Sequence, residues 1–289
     1  MEESTLINAS HKCKVCGRSE LNLTFNTMIL GQYPASLFEC ASCGFQYFHD
    51  AKIWIDQAYT TPIANTDTGI VRRSLNIHKI LSSFLSISNA QGKFLDWGSG
   101  SGLLVRLLRD DGHDCYGLEP YTTPLLAAAH TSCDEQACLK ENTYRAIFAI
   151  EVVEHLLDPR IFFSKALENT DTLIFSTQLL DKAKNVSEWW YYTTETGQHI
   201  SFYTEQSLAY IASIYDCLYV SSRNKGLHMI TRRSSDLRLF SWLAGSRRSL
   251  LSYPVAIFLN KLARRHSLIL PDYFRSKEAL SIPPHTVSI

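Results

Sequence analysis

The sequence has no excess of either charge. Its 28 Lys and Arg residues meet 28 Asp and Glu, for a formal net charge of zero at neutral pH. Without surplus positive charge there is no broad field to attract a polyphosphate backbone, which argues against a nucleic-acid partner and leaves only local basic clusters. Long apolar runs are also missing. No stretch approaches the roughly 20 residues that a membrane-spanning helix needs. Met1 to Ser10 is polar and acidic, unlike a signal peptide. The expectation is a cytoplasmic protein without a transmembrane segment. The chain does have bulk, with 289 residues of which 45% are hydrophobic, enough for a sizeable core and appendages.

Eight cysteines are present, but their spacing is not that of a disulfide framework. Cys13-Lys14-Val15-Cys16-Gly17 and Cys40-Ala41-Ser42-Cys43-Gly44 are two Cys-x-x-Cys knuckles, each closed by glycine, with 23 residues between Cys16 and Cys40. Two tight turns carrying four thiolates can surround one tetrahedral ion, so Cys13, Cys16, Cys40 and Cys43 read as a structural zinc site. A redox dithiol would not need the second knuckle. Short strands at Leu21 to Phe25 and Ser36 to Glu39 would complete a zinc-ribbon module over residues 1–50, held together by its metal. Cys115, Cys133, Cys138 and Cys217 are expected to be small buried apolar side chains.

The densest signal is Phe94-Leu95-Asp96-Trp97-Gly98-Ser99-Gly100-Ser101-Gly102. Lys93 to Leu95 suits the end of a buried strand and Leu103 to Leu108 a packed helix, so the glycines form a strand-to-helix turn. Glycine there permits positive φ and close approach to a ligand, with the amides of the next helix pointing at it. A dinucleotide fold spaces this turn as Gly-x-Gly-x-x-Gly to hold pyrophosphate. Here the spacing is Gly-x-Gly-x-Gly after Asp96. A carboxylate there would repel a diphosphate and suit an ammonium group. Glu119-Pro120 closes the next strand, 23 residues beyond Asp96. That spacing lets a carboxylate reach the vicinal hydroxyls of a ribose.

These residues, together with Ala149-Ile150-Glu151-Val152-Val153-Glu154-His155-Leu156-Leu157-Asp158-Pro159, resemble the class I S-adenosylmethionine-dependent methyltransferases over about residues 93 to 235. The last segment is similar to the ubiquinone-biosynthesis O-methyltransferase branch. The resemblance implies an α/β, Rossmann-like methyltransferase sheet with S-adenosyl-L-methionine held by Asp96, Gly98, Ser99, Gly100, Gly102, Glu119, Pro120 and Glu151. In that branch the segment is associated with a divalent cation near the acceptor, for which Glu151, Glu154 and His155 are suitable ligands; the plain start of a helix at Glu154-His155 is the other reading. Relatives that pair a small zinc ribbon with this core act on sugars and other biosynthetic intermediates, so the expected acceptor is a small molecule or glycan, methylated on oxygen. An RNA methyltransferase with a zinc recognition module and a non-catalytic cofactor-binding protein are the alternatives.

The alternation of the core fits that reading. Strands are predicted at Lys93 to Leu95, Asp114 to Leu118, Ala146 to Ile150, Thr172 to Ser176, Leu218 to Ser222 and Leu227 to Thr231, with another near Ala137 to Leu139. Helices are predicted at Leu103 to Asp110, Thr122 to Ala129, Arg160 to Ala166 and Thr204 to Tyr215. Arg223 to Gly226 would turn a terminal hairpin. Residues 51–92 read as a helical linker or lid, with a helix over Ile70 to Ile87.

Methyl transfer is an in-line displacement, so a hydroxyl acceptor needs positioning and removal of its proton. Glu151 and His155 follow a strand, where the acceptor would lie. Trp189-Trp190-Tyr191-Tyr192 and Gly197-Gln198-His199 could cover it with aromatic rings and supply His199 as general base. Residues 236–289 form a helical extension with Pro254 in a first turn. Arg247-Arg248 and Arg264-Arg265 flank the apolar run Leu250 to Leu262. A cap over the core is expected there, a membrane-surface or acidic-ligand segment being the other reading, and residues 277–289 are expected to be a loose tail.

Overall fold

The computed structural model describes residues 12–61, 63, 67–139, 143–180, 189–222, 224, 226–244, 248–263 and 265–281. At the N-terminus β1 (Leu21–Ile29) and β2 (Tyr33–Cys40) form an antiparallel hairpin turning through Leu30 and Gly31, both at positive φ. The two strands are longer than the apolar segments predicted because the turn chemistry lets pairing continue to Ile29 and Tyr33. β3 (Gln46–Phe48) pairs with β2. α1 (Ile55–Ala58) and the long α2 (Ile70–Ile87) follow, the latter over the predicted span.

From Phe94 onward the chain alternates strand and helix: β4 (Phe94–Trp97), α3 (Leu103–Asp110), β5 (Cys115–Leu118), β6 (Thr131–Ser132), α4 (Glu135–Leu139), β7 (Ala146–Ile150), α5 (Pro159–Asn169) and β8 (Thr172–Ser176). A two-residue strand, β9 (Ser201–Phe202), precedes α6 (Glu205–Ile214), β10 (Leu218–Ser221) and β11 (Leu227–Thr231). The main sheet has seven strands in the order β10-β11-β8-β7-β4-β5-β6. Pairs from β6 through β8 are parallel, while β11 runs antiparallel to β8 and β10 antiparallel to β11. Successive residues on a strand face opposite sides. Leu95, Ile147 and Leu173 therefore pack with Phe163 of α5 and Leu208 of α6. Phe94, Phe148 and Ile174 pack on the other face with Leu81 and Phe84 of α2 and Leu108 of α3. This is the three-layer α/β architecture expected.

β9 does not belong to that sheet. It adds to the N-terminal one, in the order β1-β2-β3-β9. The ribbon is therefore completed by a strand from residues about 150 positions away.

Five local expectations differ from the structure. Thr122 to Ala129 is not an α-helix, because Glu119 accepts from the amides of Tyr121 and Thr122 and bends the chain around its carboxylate; only a 3-10 turn forms, at Ala128–His130. Ala137 to Leu139 lies in α4, where Asp134 caps the turn through the Ala137 amide, and the edge strand is β6 instead. Pro254 is inside α8 (Arg248–Leu262), which starts earlier than the Pro signal suggests. Residues 277–281 are the end of α9 (Ile269–Ser281) rather than a tail, whereas 282–289 lie outside the described residues. Cys133 is exposed, unlike the buried Cys115. The Arg223 to Gly226 turn includes Arg223 and Lys225, and the basic pairs include Arg247 and Arg264, which also lie outside the described residues.

α7 (Ser234–Leu243), α8 and α9 cover the core as a cap. α9 is fastened by the buried Asp272, which accepts a bidentate pair from Arg109 at 2.7 and 2.8 Å and meets Arg106 at 2.9 Å. Such a fork binds planar and directional. Without Asp272 the buried Arg109 keeps only the more exposed Asp114 as a counter-charge, so Asp272→Ala should lower the unfolding free energy by about 3 kcal/mol. Urea titration measures it; a loss within experimental error would show that α9 contributes nothing to the fold.

Candidate active site

β4 is flanked by β5 on one side and β7 on the other, so the chain reverses its winding direction there. Ligands bind at the carboxyl ends of such strands. A cavity of about 1160 Å³ opens at that place.

Its floor is the glycine turn. Gly98, Gly100 and Gly102 all have positive φ, at 77°, 54° and 79°. A Cβ on Gly98 would stand 2.6 Å from Val152 Cγ2, so no other residue fits between β4 and the loop after β7. Gly100 faces open space and donates its amide to Glu119 Oε2 at 2.7 Å. Gly102 does not line the cavity; it starts α3 in the left-handed region and packs under Ala127. Ser99 and Pro120 do line it, and the buried Ser99 Oγ has no hydrogen-bond partner.

Asp96 is 2% exposed. Burial, with Glu119 nearby as a second carboxylate, pushes its pKa up to about 7. Glu119 already accepts three backbone amides, from Gly100, Tyr121 and Thr122. A buried carboxyl raised in this way is a receptor for positive charge.

The wall opposite comes from the loop after β7. Glu151 sits at φ 55°, an uncommon conformation for a residue with a side chain, and it is held there twice by Ser176. The Ser176 hydroxyl accepts from the Glu151 amide at 2.8 Å and donates to Glu151 Oε1 at 2.6 Å. Arg73 of α2 stands 3.8 Å from Glu151 Oε2 and makes a paired bond to Asp67. Glu154 is wholly buried, accepts from Tyr191 OH at 2.6 Å, and keeps its second oxygen without a partner. Burial and the neighbouring Glu151 charge drive its pKa well up.

His155 and His199 both line the cavity, with ring centroids 4.9 Å apart. Their Nδ1 atoms lie 3.0 Å from the Gln198 carbonyl and 2.7 Å from the Tyr191 carbonyl. A carbonyl can only accept, so each ring donates from Nδ1 and keeps a lone pair on Nε2. Burial holds both neutral, pulling His155 down to about 3, with His199 adding to the effect, and His199 to about 4. Ligand atoms of Glu154, His155 and His199 lie within 4.8 Å of one another.

The aromatic segment divides. Trp190, 70% exposed, and the buried Tyr191 border the cavity, whereas Trp189 and Tyr192 turn away to pack with Phe202 of β9. Arg73, Asp67 and Tyr59 also line the cavity and were not among the residues expected. Arg73 carries a signal in hindsight, as a cation on the helix that packs against β4. Asp67 and Tyr59 carry none, because only folding brings the linker over the sheet.

The second cluster is the knuckle pair. Each knuckle has the same hydrogen bonds, Gly17 to Cys13 O and Gly44 to Cys40 O, with Cys13 donating to Arg18 O and Cys40 to Phe45 O. The Sγ atoms of Cys13 and Cys43 are 3.7 Å apart and those of Cys16 and Cys40 3.4 Å, with all four within 4.8 Å. None forms a disulfide.

The methyltransferase-domain family matches residues 71–221, just over half of the 289-residue chain. Among solved structures, magnesium protoporphyrin IX methyltransferase (ChlM) from Synechocystis PCC 6803 with bound SAM is similar over 63% of this chain and 95% of its own, at 15% identity and a TM-score of 0.43. The plantazolicin methyltransferase BpumL, in complex with a desmethylPZN analogue and SAH, is similar over 71% of this chain and 89% of its own, at 13% identity and a TM-score of 0.48. An O-methyltransferase family protein from Burkholderia thailandensis is similar over 64% and 69%, at 12% identity and a TM-score of 0.45. At such identities the likeness is one of fold. No curated protein matches the chain at significant similarity. The family match, the strand order and the glycine turn after β4 agree: the chain belongs to the methyltransferase-domain family, as a class I S-adenosylmethionine-dependent methyltransferase.

Proposed function

We propose that this enzyme methylates a hydroxyl oxygen of a small, neutral or cationic acceptor, a glycan or biosynthetic intermediate, with His199 as the general base. The carrying observation is the pair of neutral imidazoles at the cavity wall, their Nδ1 protons committed to carbonyls and their Nε2 lone pairs free to accept. The likeness of the Glu151 to His155 segment to the ubiquinone O-methyltransferase branch supports oxygen as the methylated atom. Charge supports the acceptor class. Asp56, Asp67, Glu151, Asp158 and Glu195 line the acceptor side, and the cations there, Arg73 and Lys165, are paired with Asp67 and Glu135. Such a wall disfavours phosphate and carboxylate groups.

The orphaned Ser99 hydroxyl, the open space above Gly100 and the buried, uncompensated Asp96 suit the methyl-donating cofactor. When bound, S-adenosylmethionine supplies an electrophilic methyl on sulfur. Asp96 would hold its ammonium group and Glu119 its ribose hydroxyls. His199 Nε2 would take the proton of the acceptor hydroxyl and so leave its oxygen able to receive the methyl group. Tyr191 and Trp190 exclude water from the transfer line.

A divalent cation is the second reading, favoured by the orphaned Glu154 oxygen beside two Nε2 lone pairs. Glu154, His155 and His199 would hold it, and it would lower the pKa of an acceptor hydroxyl. Glu151 is less suited to that set, since Ser176 and Arg73 already engage its oxygens. The knuckles suit zinc, their Sγ separations being near the roughly 3.8 Å edge of a tetrahedron with Zn–S bonds of about 2.3 Å.

Incubation with isotope-labelled S-adenosylmethionine and fractionated host extract, read by mass spectrometry, should yield an O-methylated small product; label in RNA would overturn the acceptor class. In the same assay His199→Ala should lose about 100- to 10,000-fold in turnover with cofactor affinity kept. Undiminished turnover removes it as the base. A chelator that abolishes turnover, reversibly by a divalent cation, would assign the second reading.

Cofactor affinity should rise with pH. An Asp96 with a pKa near 7 must ionise to meet an ammonium, so affinity gains about tenfold per unit up to about pH 7 and then levels. Calorimetry should show this slope in the wild type and its absence in Asp96→Asn; equal slopes would exclude Asp96 as the ammonium partner.

Purified protein should carry about one zinc per chain, and Cys40→Ser should lose it. Elemental analysis without zinc would leave the ribbon metal-free.

A further inference from the structure

The two C-terminal helices are built inside out. The inner stripe of α8 is Ser252, Ala256 and Asn260, all buried against α2. Its contacts are small and polar: Ser252 donates to Ser83 Oγ at 3.1 Å and Ser86 to Asn260 Oδ1 at 2.8 Å. The opposite flank is apolar and open, with Phe258 63% and Leu262 70% exposed and Val255 one turn before them. α9 repeats the inversion. Asp272 points inward to Arg109, while Ile269, Leu270, Tyr273 and Phe274 share the outer face.

A helix that turns polar groups inward and apolar groups outward is stable only beside something apolar. Small residues and hydrogen bonds between helices, with large apolar side chains outside, is the packing pattern of helices in contact with lipid. Charge identifies the surface. From residue 248 to 281, over both helices and their connection, the sequence has six Lys and Arg against two acids, Asp272 and Glu278. Asp272 is buried and neutralised, whereas Lys261, Arg275 and Lys277 are exposed beside the apolar faces. No helix among the described residues is long and apolar enough to cross a membrane.

We propose that α8 and α9 dock this methyltransferase flat on an anionic lipid surface, with Phe258, Leu262, Leu270, Tyr273 and Phe274 entering the headgroup boundary and Lys261, Arg275 and Lys277 meeting lipid phosphates. A second copy of the chain would supply apolar area but would place like charges face to face. The docking face lies on helices that contribute no residue to the cavity, so it stands independently of the acceptor's identity.

Sedimentation of the full-length protein with phosphatidylcholine vesicles, with and without phosphatidylglycerol, tests it. Binding should require phosphatidylglycerol and weaken with salt. Lys261→Ala and Lys277→Ala should each reduce it about fivefold. Phe258→Ser with Leu262→Ser should reduce it at least about tenfold while cofactor affinity, a readout of folding, is kept. Failure to bind, or binding unchanged in these variants, overturns the proposal. So does a wild-type dimer in sedimentation velocity that Phe258→Ser and Leu262→Ser turn into a monomer, which would make the face a self-interface.

Discussion

The structure depends on one short segment, Gly197 to Thr204, whose polar groups are shared among several separate elements. Trp54 donates to the Gly197 carbonyl, Gln198 donates to the Ala58 and Thr61 carbonyls, and His155 donates to Gln198 O. The Ile200 amide goes to Glu154 O, the Ser201 hydroxyl to Leu156 O, and the Tyr203 hydroxyl to Val153 O. β9 meanwhile pairs with β3, and Thr204, the cap of α6, donates to Cys43 O. Buried backbone groups must find partners. Here the partners come from the ribbon, the linker and the loop after β7 at once. Gly197 admits no side chain in this arrangement, since a Cβ would stand 2.7 Å from Ile29 Cγ2.

That clasp explains why the knuckles belong to the enzyme rather than beside it. Gln206 and Tyr210 of α6 donate to Ser42 and Cys16 carbonyls, so the knuckle turns are anchored on the helix that packs against the main sheet. The same segment sets the imidazoles. Gln198 O orients His155, and the adjoining Tyr191 O orients His199, so the ribbon's fourth strand and the tautomers of the cavity wall are properties of one stretch of backbone. The ribbon is joined to the site through hydrogen bonds, without a side chain of the ribbon entering it.

Much of the fold was legible because its causes are local. β4 and α3 announce themselves through apolar density and a glycine turn, and α5 through Asp158 and Pro159 at its start, where the carboxylate accepts from Arg160 and Ile161. The stretch after Glu119 was misread because its propensity is helical while its amides are spent on a carboxylate, which no periodicity reveals. Pro254 misled for a related reason: inside α8 it lies exposed, where a missing amide and a bent axis are tolerated. Trp189 to Tyr192 read as one aromatic lid, yet the chain turns the two middle rings, Trp190 and Tyr191, to the cavity and the two outer ones, Trp189 and Tyr192, to Phe202 of the ribbon core.

The sequence by itself determined the chemistry that short-range spacing can encode: the glycine turn after β4, the acid before it and the acid after the next strand, and two knuckles with four thiols. These depend on residues a few positions apart, whose relative placement follows from backbone geometry alone. Only the tertiary structure decided what depends on distant segments meeting. It brought Arg73 and Asp67 over the sheet and buried Glu154 with an orphaned oxygen beside His155 and His199. It also closed the ribbon with β9 and turned the apolar faces of α8 and α9 outward. The reason is that burial and partner choice are settled by which surfaces the whole chain leaves available, and a hydrophobic pattern states that a face is apolar without stating what will cover it.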